Sequence, residues 1–517
     1  MREDTHELLD SKITPHDKHR FEIKLDIKLA PRHKNVYRVE TYFFVPRALN
    51  ISPNTYTKRD FYNSAQKYIR FKTPQMSLDK LADAANELSP LCVINRRLAA
   101  LLAGEKSKKA VDELFDEIKL LAAVARGAAR DFVRYLLGEL EQLRRTPADT
   151  GTRLVTAQEN GTEFIAGVKS LIASVRTLRG HIGNPVIPPK VRDAFHFCDE
   201  YLSLMIEDHL TALLEGLREN PEIRAHLAQL DRALAEIILA QRQYRRAMGY
   251  PSLVRNEGPN EVMVYRRGVL KKFVSSVLYL QMEITEWEGW TQFCYGLAAG
   301  VAMLFAAVVM LLVQNRYTTN SIPFVAVLVV SYIFKDRIKD WLKLMFSKGM
   351  TRWLADRNVN IRDPRTGGKI GSYKEAFSFV PSDQVPPEVH HRRNIDNFTS
   401  IDEEGKPERV MKHEKEVTLY PDPILKVHER RQDLNDIMRF SIDDFLRQAD
   451  NPKVDYLHLD DEGGRLECLQ CSRVYHVNMV MRYTSYDSAG KLQVSYERVR
   501  IVLNRDGIIR LEEVPLA

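Results

Sequence analysis

Phe293 to Val313, FCYGLAAGVAMLFAAVVMLLV, runs 21 residues without a charged side chain. A hydrocarbon core about 30 Å thick takes about 20 apolar residues at the helical rise, so this stretch is expected to cross a membrane. A second span is expected over 317–334, 18 residues without charge that contain the apolar run Ile322 to Phe334. Asn320 or Ser321 can cap its helix, and Pro323 suits a first turn, where its missing N–H is not needed. Together the spans make a transmembrane hairpin over 291–334. Neither contains Asp, Glu, Lys or Arg, which favours an anchor over a transport pathway.

The flanks support that expectation. Arg266, Arg267, Lys271 and Lys272 precede the hairpin, Lys335, Arg337, Lys339 and Lys343 follow it, and the connecting loop holds only Arg316. The positive-inside rule then puts both termini in the cytoplasm of a cell (inner) membrane. All four tryptophans, Trp287, Trp290, Trp341 and Trp353, lie in these flanks, where an indole buries its ring and keeps its N–H wet. With Lys335, Arg337, Lys339 and Lys343 they are the expected membrane-interface residues. Gly296 and Gly300 form a GxxxG pair that lets a helix approach closely, either the chain's own second span or another copy.

The remainder has ordinary globular composition, 28% charged and 44% hydrophobic over 517 residues, enough for two or three domains. A net charge of +7 is accounted for by the juxtamembrane basic residues, so the bilayer is the expected partner and nucleic acid is not. The polar first 20 residues hold no apolar signal-peptide core. Five cysteines, Cys92, Cys198, Cys294, Cys468 and Cys471, suit a reducing compartment.

The fold class expected is a membrane-anchored α+β protein. Alternation over Phe21 to Leu29 and the β-rich run Val36 to Val45 predict an N-terminal β-hairpin within 1–50, in need of a partner sheet. Helical periodicity dominates 51–250, clearest from Lys106 to Arg145, and predicts a cytoplasmic helical bundle. A juxtamembrane helix over 258–290 is expected to run towards the first span, and a basic amphipathic helix over 335–357 to follow the second. A β-hairpin turning at Pro364 to Lys369 and a proline-rich linker fill 358–405. The β-rich region 406–517 should open with a short helix near Asp433 to Ala449 and end in a three-stranded meander, with a bulge where the apolar phase flips after Tyr496. Because both termini share one side of the membrane, the N-terminal and C-terminal strands are expected to join in one β domain.

Motifs for chemistry are sparse. Cys468 and Cys471 have metal-ligand spacing, but a tetrahedral zinc site needs two further ligands, for which only His458 and His476 are near in sequence. Thr366-Gly-Gly-Lys369 is followed by Ile370 and so reads as a turn, not a phosphate loop. His196, Asp199, Glu200, Glu207, Asp208 and His209 crowd one helix without the Glu-x-x-His spacing of di-metal bundles. His390-His391-Arg392-Arg393 reads as an exposed basic run. No pattern names a catalytic residue or calls for a cofactor. The expectation is therefore a cytoplasmic scaffold, sensor or accessory protein held at the membrane, with a homo-oligomer through the hairpin or helical domain, or a cytoplasmic protein, as partner. The alternatives are a membrane-associated enzyme acting on lipid or nucleotide phosphates, and a small oligomeric two-span channel.

Overall fold

The computed structural model describes residues 9–30, 34–105, 107–145, 150–254, 258–285, 288–314, 321–353, 355–395, 408–428, 430, 433–459, 464, 466–486 and 491–515. The chain is a mixed α+β protein of two compact units, one of 71–279 with 429–431, the other made of everything else.

The second unit is built on two sheets. An eight-stranded antiparallel sheet runs β14-β13-β12-β3-β8-β7-β6-β5, and a four-stranded sheet runs β1-β2-β9-β4. Their strands are β1 Leu9–Asp17, β2 Arg20–Ile27, β3 Asn35–Pro46, β4 Ala65–Phe71, β5 Gln281–Thr285, β6 Arg357–Arg362, β7 Lys369–Val380, β8 Glu408–Leu419, β9 Leu434–Ser441, β12 Tyr475–Tyr486, β13 Leu492–Asn504 and β14 Gly507–Glu513. The sheets meet face to face through Phe43 and Phe440, whose rings stack at 5.4 Å, with Phe21 beside Phe440 in the small sheet at 5.6 Å. On the outer face of the large sheet, Tyr42, Phe44, Val410 and Val480 pack under Val385 and Val389.

The expected union of N-terminal and C-terminal strands is present, since β3 pairs with β12 and β2 with β9. The expected hairpin of 21–45 is not, because β2 and β3 belong to different sheets. The difference lies in burial. β2 buries one face, whereas β3 is buried on both as a central strand between β8 and β12.

Other expectations also need correction. The helix expected over Asp433 to Ala449 is mostly the strand β9, followed by one helical turn, Asp443–Leu446. The phase flip in β13 is no bulge, for its register with β12 is unbroken. Tyr496 lies on the outer face and Val499, Ile501 and Leu503 on the inner one, so the apolar residues change sides ahead of the register shift that β13 does carry, against β14 between Val502 and Leu503. Within the region expected as linker, Pro387–Arg393 forms a helix packed on the sheet through Val389. The 364–369 turn is as expected, with Gly367 at φ +67° where a side chain would be strained.

The first unit is helical. After Ser89 caps the helix Pro90–Leu102, long helices α4 (Lys108–Arg145), α5 (Thr150–Ile182), α6 (Pro189–Arg218) and α8 (Ala228–Ala247) pack together, followed by α9 (Glu261–Ser275). The juxtamembrane helix expected over 258–290 stops at Ser275, and the chain becomes strand β5.

Helices α10 (Glu288–Gln314) and α11 (Ile322–Trp353) belong to the sandwich unit and pack along each other. Gln292–Gln314 is long and apolar enough to cross a membrane, and it is the one such helix among the described residues. Helix α11 runs unbroken through the charged segment that begins at Lys335, so the second span is apolar only over its first part. The packing adds a correction. Lys343 Nζ lies 5.5 Å from the Tyr295 ring, which sets 335–343 of α11 beside 295–303 of α10. The hairpin is therefore not free of charge over the length of α10.

Candidate functional site

Most inward positions of the sandwich are apolar, but one patch is ionic. The register of β3, β8 and β7 aligns Val39, Lys415 and Glu375 in one cross-strand row and Thr41, His413 and Phe377 in the next. Strand alternation sends these side chains to one face, towards the small sheet, where β4 supplies Lys67 and β9 supplies Asp436.

Two ionic groups result. Lys67 Nζ lies 2.8 Å from Glu375 Oε1 and 3.1 Å from His413 Nε2. Lys415 Nζ donates to both oxygens of Asp436 at 2.6 and 2.8 Å, and Tyr37 OH donates to Oδ2 at 2.9 Å. All of these side chains are buried. Burial works to raise the Glu375 carboxyl, but Lys67, His413 and Lys415 outweigh it and hold it well below the usual carboxylate range. Burial lowers Lys67 to about 8 against the pull of Glu375. Burial and then the charge of Lys67 lower His413 to about 4, so the imidazole is neutral at pH 7 and its Nε2 accepts from the ammonium. Phe61 stacks on Phe377 at 4.2 Å and closes the patch, while Lys415 sits 4.5 Å from the Tyr373 ring.

The network reaches the foot of α11. Asp356, just beyond that helix, accepts from Lys58 Nζ at 2.5 Å, Tyr62 OH at 3.1 Å and the Phe377 N–H at 2.7 Å. Lys58 and Tyr62 come from the helix Lys58–Ser64, started by a capping box between Thr57 and Asp60. The Tyr62 ring in turn lies 4.9 Å from Lys67 Nζ and 4.1 Å from Arg357. Each charge is met by an opposite charge or an aromatic face, so the arrangement suits holding two sheets in register better than turning over a substrate. Buried pairs add little net stability, because desolvation offsets attraction, but they penalise misregistered alternatives.

None of these residues was singled out by sequence motifs. The one available signal was the inward-phase pair His413 and Lys415 in a strand otherwise filled with Met411, Val417 and Leu419.

The residues that sequence did single out fare differently. Cys468 and Cys471 lie on β11 (Leu466–Ser472), which among the described residues pairs only with β10 (Lys453–Leu459), in an exposed hairpin. Three residues apart on a strand, they point to opposite faces at about 10 Å and do not converge on one ion. His458 stands opposite Glu467 in that hairpin, and among the described residues no three metal-binding side chains cluster.

On α6 these acidic residues are paired within the helical unit, Asp199, Glu200 and Glu207 buried and Asp208 partly exposed. Asp199 accepts from Tyr244 OH at 2.6 Å and Tyr250 OH at 2.7 Å, Glu200 from Arg266 at 2.8 Å, Glu207 from Arg242 and Arg245, and Asp208 pairs with Arg267. His209 is lowered to about 4 by burial and by Arg126. Beside Asp199, Ser203, Gln241 and Arg176 lies a cavity of about 20 Å³, room for one water. Nor is the His390–Arg393 run simply exposed, for Arg393 is buried against Glu408 at 2.5 Å and His390 bonds to the Ser382 carbonyl at 2.8 Å.

Of the expected membrane-interface residues, Trp341 and Arg337 are exposed, Lys335 Nζ lies 3.4 Å from the Tyr332 ring, and Lys339 pairs with Asp336 at 3.3 Å. Trp287 and the side chains of Trp290 and Trp353 lie outside the described residues. Helix α11 buries Ala298 and Ala302 of α10, whereas Gly296 and Gly300, on the opposite side of α10, have open space around them. Comparisons with protein families, with curated proteins and with solved structures find no match.

Proposed function

We propose that the chain is a membrane-anchored scaffold, sensor or accessory protein, held by α10 and the first part of α11 with both termini on the cytoplasmic side. The observation that carries this reading is the surface of α10. Leu297, Met303, Leu304, Val308, Met310 and Leu312 are all exposed, on more than one side of a helix whose one charged residue is Glu288, at its start. In water that surface would drive aggregation, and in lipid it is solvated. Asp356 supports a sensor or scaffold role, since it ties the foot of α11 to the buried network between the sheets. The open Gly296/Gly300 face supports contact with another helix, a second copy or a membrane partner.

Alkaline carbonate extraction of membranes holding the full chain tests the anchor. The protein is expected to remain in the pellet, and release into the supernatant would overturn the reading. Protease shaving of sealed vesicles of known orientation tests the cytoplasmic placement of the termini.

A further inference from the structure

Resting on the membrane reading, we propose that the polar face of α11 between Asp336 and Lys343 is a self-association surface, closed within the membrane by the same face of a second copy.

The argument begins with depth. Because Lys343 lies level with Tyr295, Asp336 sits seven residues, about 10 Å, further along the hairpin, beside the apolar core of α10. Lysine and arginine at that level can snorkel to the headgroups. Aspartate is too short to do so. A carboxylate facing hydrocarbon is costly, and such residues almost always turn towards protein or water.

The second step is direction. At about 100° per residue, Lys339, Lys343, Asp336, Asp340 and Arg337 occupy one side of α11, while Phe334, Ile338, Trp341 and Met345 occupy the other. Phe334 and Trp341 are exposed and suit lipid. Asp336 is half exposed even though Lys339 lies 3.3 Å away, and Asp340 and Arg337 are exposed. Helix α10 therefore leaves Asp336, Asp340 and Arg337 open, while Lys343 at the edge of this side reaches its Tyr295 ring.

The third step is complementarity. The polar side carries carboxylates and cations interleaved within one turn of each other, so two copies facing across a two-fold axis place each carboxylate against cations of the other. A partner of one sign would leave half of these charges unmet.

Cysteine cross-linking of the full chain in native membranes tests the proposal, in a Cys294→Ser, Cys468→Ser, Cys471→Ser background. Asp336→Cys and Phe334→Cys lie at nearly the same depth on opposite sides of α11. The expected result is a covalent dimer from Asp336→Cys upon oxidation and none from Phe334→Cys. Dimer from both variants, or from neither, would overturn it. A membrane-impermeant maleimide should label Asp336→Cys slowly, and rapid labelling in carbonate-resistant membranes would overturn this proposal while leaving the anchor intact. If carbonate releases the protein, both fall together. Should Asp336→Cys fail to accumulate, an amine-reactive cross-linker on the otherwise native chain should give a dimer band that Asp340→Asn diminishes, and an unchanged band would count against the interface.

Discussion

Lys67 occupies an inward strand position that a sandwich core usually fills with leucine or valine, and the same holds for His413 and Lys415. Such charges persist only in matched sets, so the consequence of losing one partner can be stated. Asp436→Asn leaves the Lys415 ammonium buried without a full counter-charge and should cost about 3–5 kcal/mol, whereas the Lys415→Met, Asp436→Leu pair should lie much closer to wild type. Thermal unfolding in detergent checks both. The His413 imidazole titrates near 4 in the folded chain and near 6.5 when unfolded, so on acidification the unfolded state takes up the proton first. Its contribution is full above about pH 6.5 and is lost as pH falls towards 4, about 2 kcal/mol by pH 5. The melting temperature of His413→Gln should accordingly fall less between pH 7.5 and 5 than that of the wild type. These residues were illegible in sequence for a definite reason. Lys67, Glu375 and Asp436 are separated by hundreds of positions in part, and no local spacing rule joins them. The acidic residues of α6 were visible as a crowd, but their arginine partners on α8 and α9 were not.

Among the elements, those with strong local periodicity were readable. Helix α4 and the terminal meander emerged close to their expected extents, because their apolar residues recur at regular local spacing. Strands β4 and β5 were not found, since each is short and takes its pairing from residues far along the chain. The β10–β11 hairpin is the reverse case, a regular element whose fourteen residues are all exposed. That exposure separates the cysteines. Cys468 and Cys471 should both react with a maleimide in the native protein, while Cys198, buried and with its thiol pushed up by burial, should react only after denaturation. Mass spectrometry of labelled peptides gives the order.

At the scale of the whole molecule, the chain is a set of excursions from one β framework. The helical unit departs after Ile69 and returns at Leu280, whose N–H bonds to the Ile69 carbonyl at 3.1 Å. Helices α10 and α11 depart after Thr285 and return at Asn358, paired opposite each other in β5 and β6. Replacing 286–355 with a short turn should therefore leave the sandwich intact and give a protein recovered without detergent. Size-exclusion chromatography and circular dichroism check this, an aggregate or a loss of β signal being the contrary result. Sequence reading located the long apolar helix and both β ends, and the expected union of those ends already makes the helical region an insertion between them. Insertion points carry no composition signal of their own, so the exits and returns at Ile69 and Leu280 and at Thr285 and Asn358 appeared only with the strand pairings.

That nesting dictates an order of events during synthesis. Strand β3 must wait for β12, more than 400 residues downstream, and β2 for β9. At roughly 5–20 residues per second, the N-terminal strands spend about 20–90 seconds without these distant partners. By then α10, long and apolar, has already emerged. The nascent chain thus holds apolar, unpaired strand edges open together with an exposed apolar helix, a demand for chaperoning that the finished molecule no longer displays.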